Sequence, residues 1–306
     1  MAPRESRAPI SLIWDDDCGS DLDCVYSLEA LHRQIDRKIV SVRALILDSP
    51  NPFGAPVLRA WNELWHHSLP IGAYRGSTGA KGADSGWSRA VRGALRPDDL
   101  SARYPDCVSV YRQALAGAPQ HSVRIVETGF PTCLVALMKS LPDAISPLSG
   151  RDLIRSKVEA LFVMGGDYPG PAGEYNFQSS AAESGELFSG WTKGNGYPPI
   201  YLTGFTPGVS VVPKLAEGSS TDAAVRLAET TAGETARPAW DLMSLHQAIA
   251  GMNSYVTSTN GTNRVSAEDG QNVWSADMGS GHFYLTAGKA GVDYKAMLEA
   301  FLNPRP

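Results

Sequence analysis

An apolar segment that runs directly into a dense group of carboxylates constrains this chain more than any other feature. Residues 10–14 are mostly apolar, as in a buried strand, and Gly19 breaks the chain before a helical pattern starts at Val25. Five carboxylates stand within nine residues between the two elements: Asp15, Asp16, Asp17, Asp21 and Asp23. The segment is therefore predicted to form a strand, a turn and the start of a helix.

Carboxylates at this density repel one another, which raises their pKa values unless a positive charge compensates them. A helix N-terminus supplies only about half a positive charge, whereas a hard divalent cation binds several oxygens at one point. A solvated acidic loop is the simpler interpretation of such a cluster. Here the cluster follows a buried strand, where open α/β sheets place their binding sites, and this context favours a site for a metal and a polyol.

The composition excludes several classes of function. A net charge of −5 and a pI near 5.7, without a long basic run, argue against a nucleic-acid partner. No apolar stretch approaches the roughly 18 residues of a membrane span, and residues 1–9 are predicted to be a flexible leader without the apolar core of a signal peptide. The four cysteines have no CxxC spacing and are predicted to be reduced thiols of a cytoplasmic protein: Cys18, Cys24, Cys107 and Cys133.

Strands and helices are predicted to alternate along most of the chain. The predicted strands cover residues 10–14, 39–47, 69–73, 122–128, 158–164 and 200–203, and the predicted helices cover 25–37, 55–66, 87–95, 107–116, 132–141, 179–188, 238–250 and 295–302. Short polar strands are expected within 255–285, with turns at Asn260-Gly261 and Asp269-Gly270. The pattern is typical of an α/β fold with a doubly wound, mainly parallel sheet flanked by helices, and residues 10–306 are predicted to form a single domain.

Polar side chains follow several of the predicted strands at the point where each strand ends. They occur at residues 15–23, at Asn51, at 128–132 and at 165–176, and Asp241 joins them near the start of a late helix. In a doubly wound sheet these loops converge on one crevice. The sequence therefore predicts that the carboxylates, the amides and the threonines meet in a single site.

Five motifs in this order resemble the inosine–uridine-preferring nucleoside hydrolases. They are Asp15-x-Asp17-x-Gly19-x-Asp21-x-Asp23, Thr128-Gly-Phe-x-Thr132, Met164-Gly-Gly, Glu174-Tyr-Asn176-Phe and Arg237-Pro-x-Trp240-Asp241. The last motif is similar to a divergent branch of that family with Trp-Asp where better-known members have His-Asp. Each motif alone is weak, but together they span residues 10 to about 285.

The resemblance implies a hydrolase that cleaves the N-glycosidic bond of a ribonucleoside or a related N-riboside with Ca²⁺ and a metal-activated water. Position by position, it implies that Asp17 is a metal ligand and the catalytic base, that Thr132 binds the metal through its backbone carbonyl, and that Asp241 is the late carboxylate ligand. It implies that the sugar is bound by Asp23, Glu174, Asn176 and Asn51. Trp240 either stacks on the nucleobase or belongs to the core. Self-association is expected, with a small-molecule nucleoside as the only other partner.

One departure from the family pattern affects the expected metal site. Cys24 stands where the family has a second acidic residue that binds calcium, and a thiol is a poor ligand for a hard cation. Asp21 could compensate as a ligand if the loop is rearranged. The alternative function is therefore a catalytically impaired relative that binds a nucleoside or ribose with a weakened or lost metal site.

Overall fold

The computed structural model describes residues 8–80, 84–216, 221–251, 256–277, 279–287 and 293–303. Residues 1–7 of the predicted leader lie outside the described residues. In the described part, none of the helices combines the length and the hydrophobicity needed to cross a membrane.

The described strands form one ten-stranded sheet in the order β3-β2-β1-β4-β5-β7-β10-β8-β9-β6. The strands are β1 (Ile10–Asp16), β2 (Val40–Leu47), β3 (Ile71–Ala73), β4 (Val123–Glu127), β5 (Val158–Met164), β6 (Ala172–Gly173), β7 (Ile200–Thr203), β8 (Val256–Val265), β9 (Gln271–Ser275) and β10 (His282–Ala287). The strands from β3 to β10 in this order are parallel, and β8, β9 and β6 continue the sheet antiparallel. The chain leaves β1 towards β2 on one side and returns to β4 on the other, which places a topological switch point between β1 and β4.

Helices cover both faces of the parallel part of the sheet. They are α1 (Asp23–Asp36), α2 (Gly54–Leu64), α3 (Trp87–Leu95), α4 (Cys107–Ala116), α5 (Thr132–Lys139), α6 (Gly150–Lys157), α7 (Tyr175–Ser179), α8 (Ala181–Gly190), α9 (Phe205–Val209), α10 (Asp222–Ala232), α11 (Trp240–Ala250) and α12 (Tyr294–Leu302). Because side chains alternate across a strand, Leu12 and Trp14 pack with α1, α2 and α11, whereas Ile13 packs with α4 and α5. The predicted doubly wound, mainly parallel α/β fold is confirmed.

Several predicted elements agree with the structure at both ends, namely the helices 87–95 and 107–116 and the strands 158–164 and 200–203. The first strand is longer than predicted, because Asp15 and Asp16 continue β1. Hydroxyl groups from neighbouring elements bind both carboxylates and so allow them to remain in the strand: Tyr111 donates to Asp15 and Thr128 to Asp16.

The predicted turn at Asn260-Gly261 is wrong, because both residues lie inside β8. A Cβ atom on Gly261 would lie 2.6 Å from the indole of Trp274 in β9, so the glycine allows close packing between strands rather than a turn. The turn at Asp269-Gly270 is confirmed: it joins β8 to β9, and Gly270 has a φ of 72°. Helices α6, α7, α9 and α10 have no counterpart among the predicted helices, of which 179–188 corresponds to α8.

Candidate functional site

The carboxyl end of β1 separates its first two aspartates onto opposite faces of the sheet. Asp15 Oδ2 accepts a hydrogen bond of 2.6 Å from Tyr111 of α4, and Asp16 Oδ2 accepts one of 2.7 Å from Thr128, which follows β4. Both side chains are fully buried, and burial raises the pKa of each carboxyl, that of Asp16 to about 7. Asp16 therefore points towards the face covered by α1 and α11.

The loop after β1 turns at Gly19, whose φ of 109° suits glycine and strains other residues. Asn51 holds this loop from behind: its amide donates to the Cys18 carbonyl at 3.4 Å and to Ser88 Oγ at 3.3 Å, and its Oδ1 accepts from the Phe53 amide at 2.8 Å. The buried side chain thus positions the loop that carries the acidic residues.

A cavity of about 360 Å³ opens at the carboxyl ends of the central strands. It is lined by Asp17, Ser20, Asp21, Asp23, Thr128, Met164, Glu174, Tyr175, Asn176, Phe205, Arg237, Trp240 and Asp241. These residues come from the loops after β1, β4, β5 and β7 and from the start of α11. Its position at the switch point is where doubly wound sheets bind their ligands.

Three of the lining carboxylates form a compact group. Asp21, Asp23 and Asp241 each present an oxygen within 4.8 Å of the others, and the Asp241 backbone amide donates to Asp23 Oδ2 at 3.3 Å. Burial raises the pKa of Asp23 and Asp241, and the neighbouring carboxylates raise both further. Asp23 Oδ1 is buried and has no hydrogen-bond partner among the described residues. An oxygen-only donor set with an unpartnered buried oxygen fits a hard divalent cation.

Asp17 lines the same cavity and is held there by close backbone packing against Gly129. A Cβ atom on Gly129 would lie 2.8 Å from Asp17 Cβ and 2.5 Å from Asp48 Oδ2, so only glycine fits at this position. Burial raises the pKa of the Asp17 carboxyl well above its usual range, and the charges of Asp16 and Asp21 add to the effect.

Glu174 and Asn176 form the side of the cavity next to β5. Glu174 caps α7: its Oε1 accepts from the Asn176 amide at 2.9 Å, and its Oε2 accepts from the Gly166 amide at 3.0 Å. Burial raises the pKa of Glu174 to about 7, against the lowering effect of these backbone donors. The Asn176 amide group donates to the carbonyls of Thr128 and Met164, both at 3.3 Å, which fixes its orientation.

Two stacked aromatic rings line another part of the cavity. Trp240 and Phe205 stack with ring centroids 5.2 Å apart and planes 23° apart, and Trp240 Nε1 donates to the Phe205 carbonyl at 3.0 Å. The Arg237 guanidinium lies 5.3 Å from the centroid of Trp240 and is paired with Asp21 at 3.1 Å. Tyr175, which is 43% exposed, also lines the cavity and has its ring 6.0 Å from that of Phe130. A flat apolar ligand can stack here while polar groups contact its other end.

A second group with metal-ligand chemistry lies beside the cavity. Asp16, Cys18 and Cys24 each offer one ligand atom, and these atoms lie within 4.8 Å of one another. All three side chains are buried, and the two thiols are free. Asp16 has no role among the residues predicted from the sequence, although its place at the end of β1 is a usable signal.

The structure brings seven of the nine predicted site residues to the cavity: Asp17, Asp21, Asp23, Glu174, Asn176, Trp240 and Asp241. Thr132 and Asn51 are not among the lining residues. The Thr132 hydroxyl donates to the Asp48 carbonyl at the start of α5, and Asn51 supports the loop after β1. Tyr175, Phe205 and Arg237 line the cavity without having been assigned a role from the sequence, although Tyr175 and Arg237 stand inside the motifs that carried the resemblance.

Comparison with known proteins identifies the class of fold. No protein-family model matches the sequence, and no curated protein matches it. Solved structures do match over nearly the whole chain. An inosine–guanosine nucleoside hydrolase aligns with a TM-score of 0.72 at 14% identity, covering 95% of this chain and 97% of that chain. The inosine–uridine preferring nucleoside hydrolase from Bacillus anthracis aligns with a TM-score of 0.64 at 13% identity, covering 95% and 98%.

A plant nucleoside hydrolase, PpNRh1, also matches, with a TM-score of 0.65 at 16% identity over 96% of this chain and 98% of that chain. The chain therefore has the nucleoside hydrolase fold. This finding confirms, at the level of the fold, the resemblance that the five motifs carry.

Proposed function

We propose that this protein is an N-ribohydrolase that cleaves the N-glycosidic bond of a ribonucleoside or a related N-riboside. The observation that carries the proposal is the meeting of Asp17, the three-carboxylate group and Glu174 in one cavity at the switch point of the sheet. Three separate segments of the chain supply these acids and Asn176: residues 17–23, residues 174–176 and Asp241. A cavity of about 360 Å³ is large enough for a small ligand such as a nucleoside.

The proposed cofactor is Ca²⁺. The carboxylates of Asp21, Asp23 and Asp241 approach one another closely enough to hold it, and Asp17 lines the same space. The unpartnered Asp23 Oδ1 supports this assignment, because a buried carboxylate oxygen needs a positive partner. A ligand role for the Thr132 backbone carbonyl stays a prediction. Bound Ca²⁺ would supply an orienting site for the ribose hydroxyls and would lower the pKa of a coordinated water.

The protein's own residues carry out the proton transfer and bind the two ends of the substrate, the ribose and the base. Asp17 accepts the proton of the water that attacks C1′, and the base leaves with the electrons of the broken C1′–N bond. The surrounding carboxylates stabilise the positive charge that develops on the sugar, as in other glycoside hydrolyses. Asp23, Glu174 and Asn176 bind the ribose, and Trp240 with Phe205 stacks on the leaving base.

The test is release of free base from a panel of purine and pyrimidine nucleosides by the purified protein with added calcium. Asp17→Asn is expected to reduce turnover by about a hundredfold or more, as loss of a general base does. Asp98→Asn is the matched control, because Asp98 is an exposed aspartate outside the cavity. If no nucleoside releases base while nucleosides still raise the melting temperature, the hydrolase proposal fails and the protein is a binding relative. Cytoplasmic location and self-association stay predictions.

A further inference from the structure

We infer that Asp16, Cys18 and Cys24 form a separate binding site for a thiophilic divalent cation of the zinc class. This inference concerns residues that do not line the cavity, and it does not depend on the proposed hydrolase activity. Its ligands also differ in kind from those proposed for calcium, because two of the three are thiols.

The fold brings the three side chains together from three consecutive local structures. Asp16 is the last residue of β1, Cys18 lies in the loop that follows, and Cys24 stands in the first turn of α1. The two sulfur atoms are 2.6 Å apart, and both cysteines are free. The exposed fraction is 0% for Asp16 and Cys18 and 1% for Cys24. The three ligand atoms are therefore gathered in a site shielded from water, where binding of zinc at about 2.3 Å from each sulfur would move the two sulfur atoms apart.

A second observation points to an ion rather than to a simple thiol contact. Asp16 Oδ2 accepts from Thr128, whereas Asp16 Oδ1 is buried close to the Cys24 thiol and Asp241 and accepts no hydrogen bond of ordinary geometry in the described part of the chain. Ionising a carboxyl at this depth is costly unless a cation balances its charge. A bound cation would contact this oxygen and both sulfurs at once. A disulfide between Cys18 and Cys24 would provide no new partner for Asp16 Oδ1.

The chemistry of the three ligand atoms determines which class of metal can bind. Two thiolates and one carboxylate suit zinc, which is bound by Cys sulfur at about 2.3 Å and by carboxylate oxygen at about 2.0–2.2 Å. Calcium takes six to eight oxygen ligands and has low affinity for sulfur. Three protein ligands leave one of the four positions around zinc for another group. We therefore expect zinc, cobalt(II) or cadmium to bind here, and calcium not to compete.

The experiment uses the full chain, reduced, stripped of metal with a chelator and titrated with Co²⁺. The expected result is thiolate-to-cobalt charge-transfer absorption that saturates at one Co²⁺ per chain, is abolished by Zn²⁺ and is unchanged by excess Ca²⁺. The double variant Cys18→Ser/Cys24→Ser is expected to bind Co²⁺ at least about a hundredfold more weakly and without that absorption.

The matched control is Cys107→Ser/Cys133→Ser. These two thiols are also buried, but they are not part of a metal-binding group among the described residues. The control is expected to keep the full absorption. If the Cys18/Cys24 variant does not fold, protection is measured in the unaltered protein: Zn²⁺ should slow alkylation of Cys18 and Cys24, resolved by peptide mass spectrometry, but not of Cys107 or Cys133.

Three outcomes would overturn the inference. The first is absence of charge-transfer absorption in the reduced protein, and the second is its persistence in the folded Cys18→Ser/Cys24→Ser variant. The third is a Cys18–Cys24 disulfide in protein purified without oxygen or reductant. Failure of base release leaves these results unaffected, so the metal inference and the hydrolase proposal can fail independently.

Discussion

Glu174 is expected to make the stability of the folded protein depend on pH. Its carboxyl is buried and has a pKa of about 7 when folded, compared with an ordinary value of 4.5. Between these two values the folded protein binds the proton more tightly than the unfolded chain does. The free energy of unfolding therefore decreases as the pH rises from 4.5 to about 7 and is constant, with respect to this group, on either side.

The size of the effect follows from the pKa difference. At about 1.4 kcal/mol for each pH unit, the interval corresponds to about 3 kcal/mol. A 306-residue chain unfolds with an entropy of about 0.6 kcal/mol per kelvin, so the expected change in melting temperature is about 5 °C. The backbone donors from Asn176, Gly166 and Phe177 favour the ionised form but are outweighed by burial.

The measurement compares thermal unfolding of the unaltered protein and Glu174→Gln between pH 4.5 and 7.5, with EDTA present to exclude cations. The variant loses a constant amount of stability, because a glutamine cannot accept all the backbone hydrogen bonds, but it cannot titrate. The melting temperature of the unaltered protein should therefore fall by about 5 °C more than that of the variant over this range. Parallel curves would refute the reasoning. Glu268→Gln, at an exposed position, should leave the pH dependence unchanged.

Two further substitutions test how the cavity is built. Gly129→Ala should destabilise the protein by about 1–3 kcal/mol and lower its melting temperature by about 2–5 °C, because the added methyl group meets Asp17 and Asp48. Gly93→Ala, where a Cβ atom meets nothing within 4 Å, is the control, and equal melting temperatures for the two variants would contradict this account. Trp240→Ala should weaken nucleoside binding by about 1–3 kcal/mol, measured by calorimetry, because it removes the ring on which we propose that the base stacks. Trp240→Phe should restore most of that affinity, and unchanged binding by the alanine variant would exclude stacking on Trp240.

Local sequence pattern was sufficient for most of the fold. The strand 158–164 is a nearly continuous apolar run, and the helices 87–95 and 107–116 have apolar residues at helical spacing, so local preference and burial agree in each case. The local pattern gave a wrong prediction where packing between segments distant in sequence determines the backbone conformation. Asn260-Gly261 has the composition of a turn, but it forms part of β8 because Gly261 packs against Trp274.

The sequence by itself determined the class of fold and which segments carry the polar residues of the site, because both follow from local periodicity and from motifs at the ends of strands. Seven of the nine site residues predicted in this way line one cavity. Only the tertiary structure decided how the five clustered carboxylates are divided. Alternation along β1 directs Asp15 to Tyr111 and Asp16 to Thr128, and the turn at Gly19 brings Cys18 next to Cys24. The division of Asp15 and Asp16 depends on neighbours about a hundred residues away, with which no local pattern can pair a side chain.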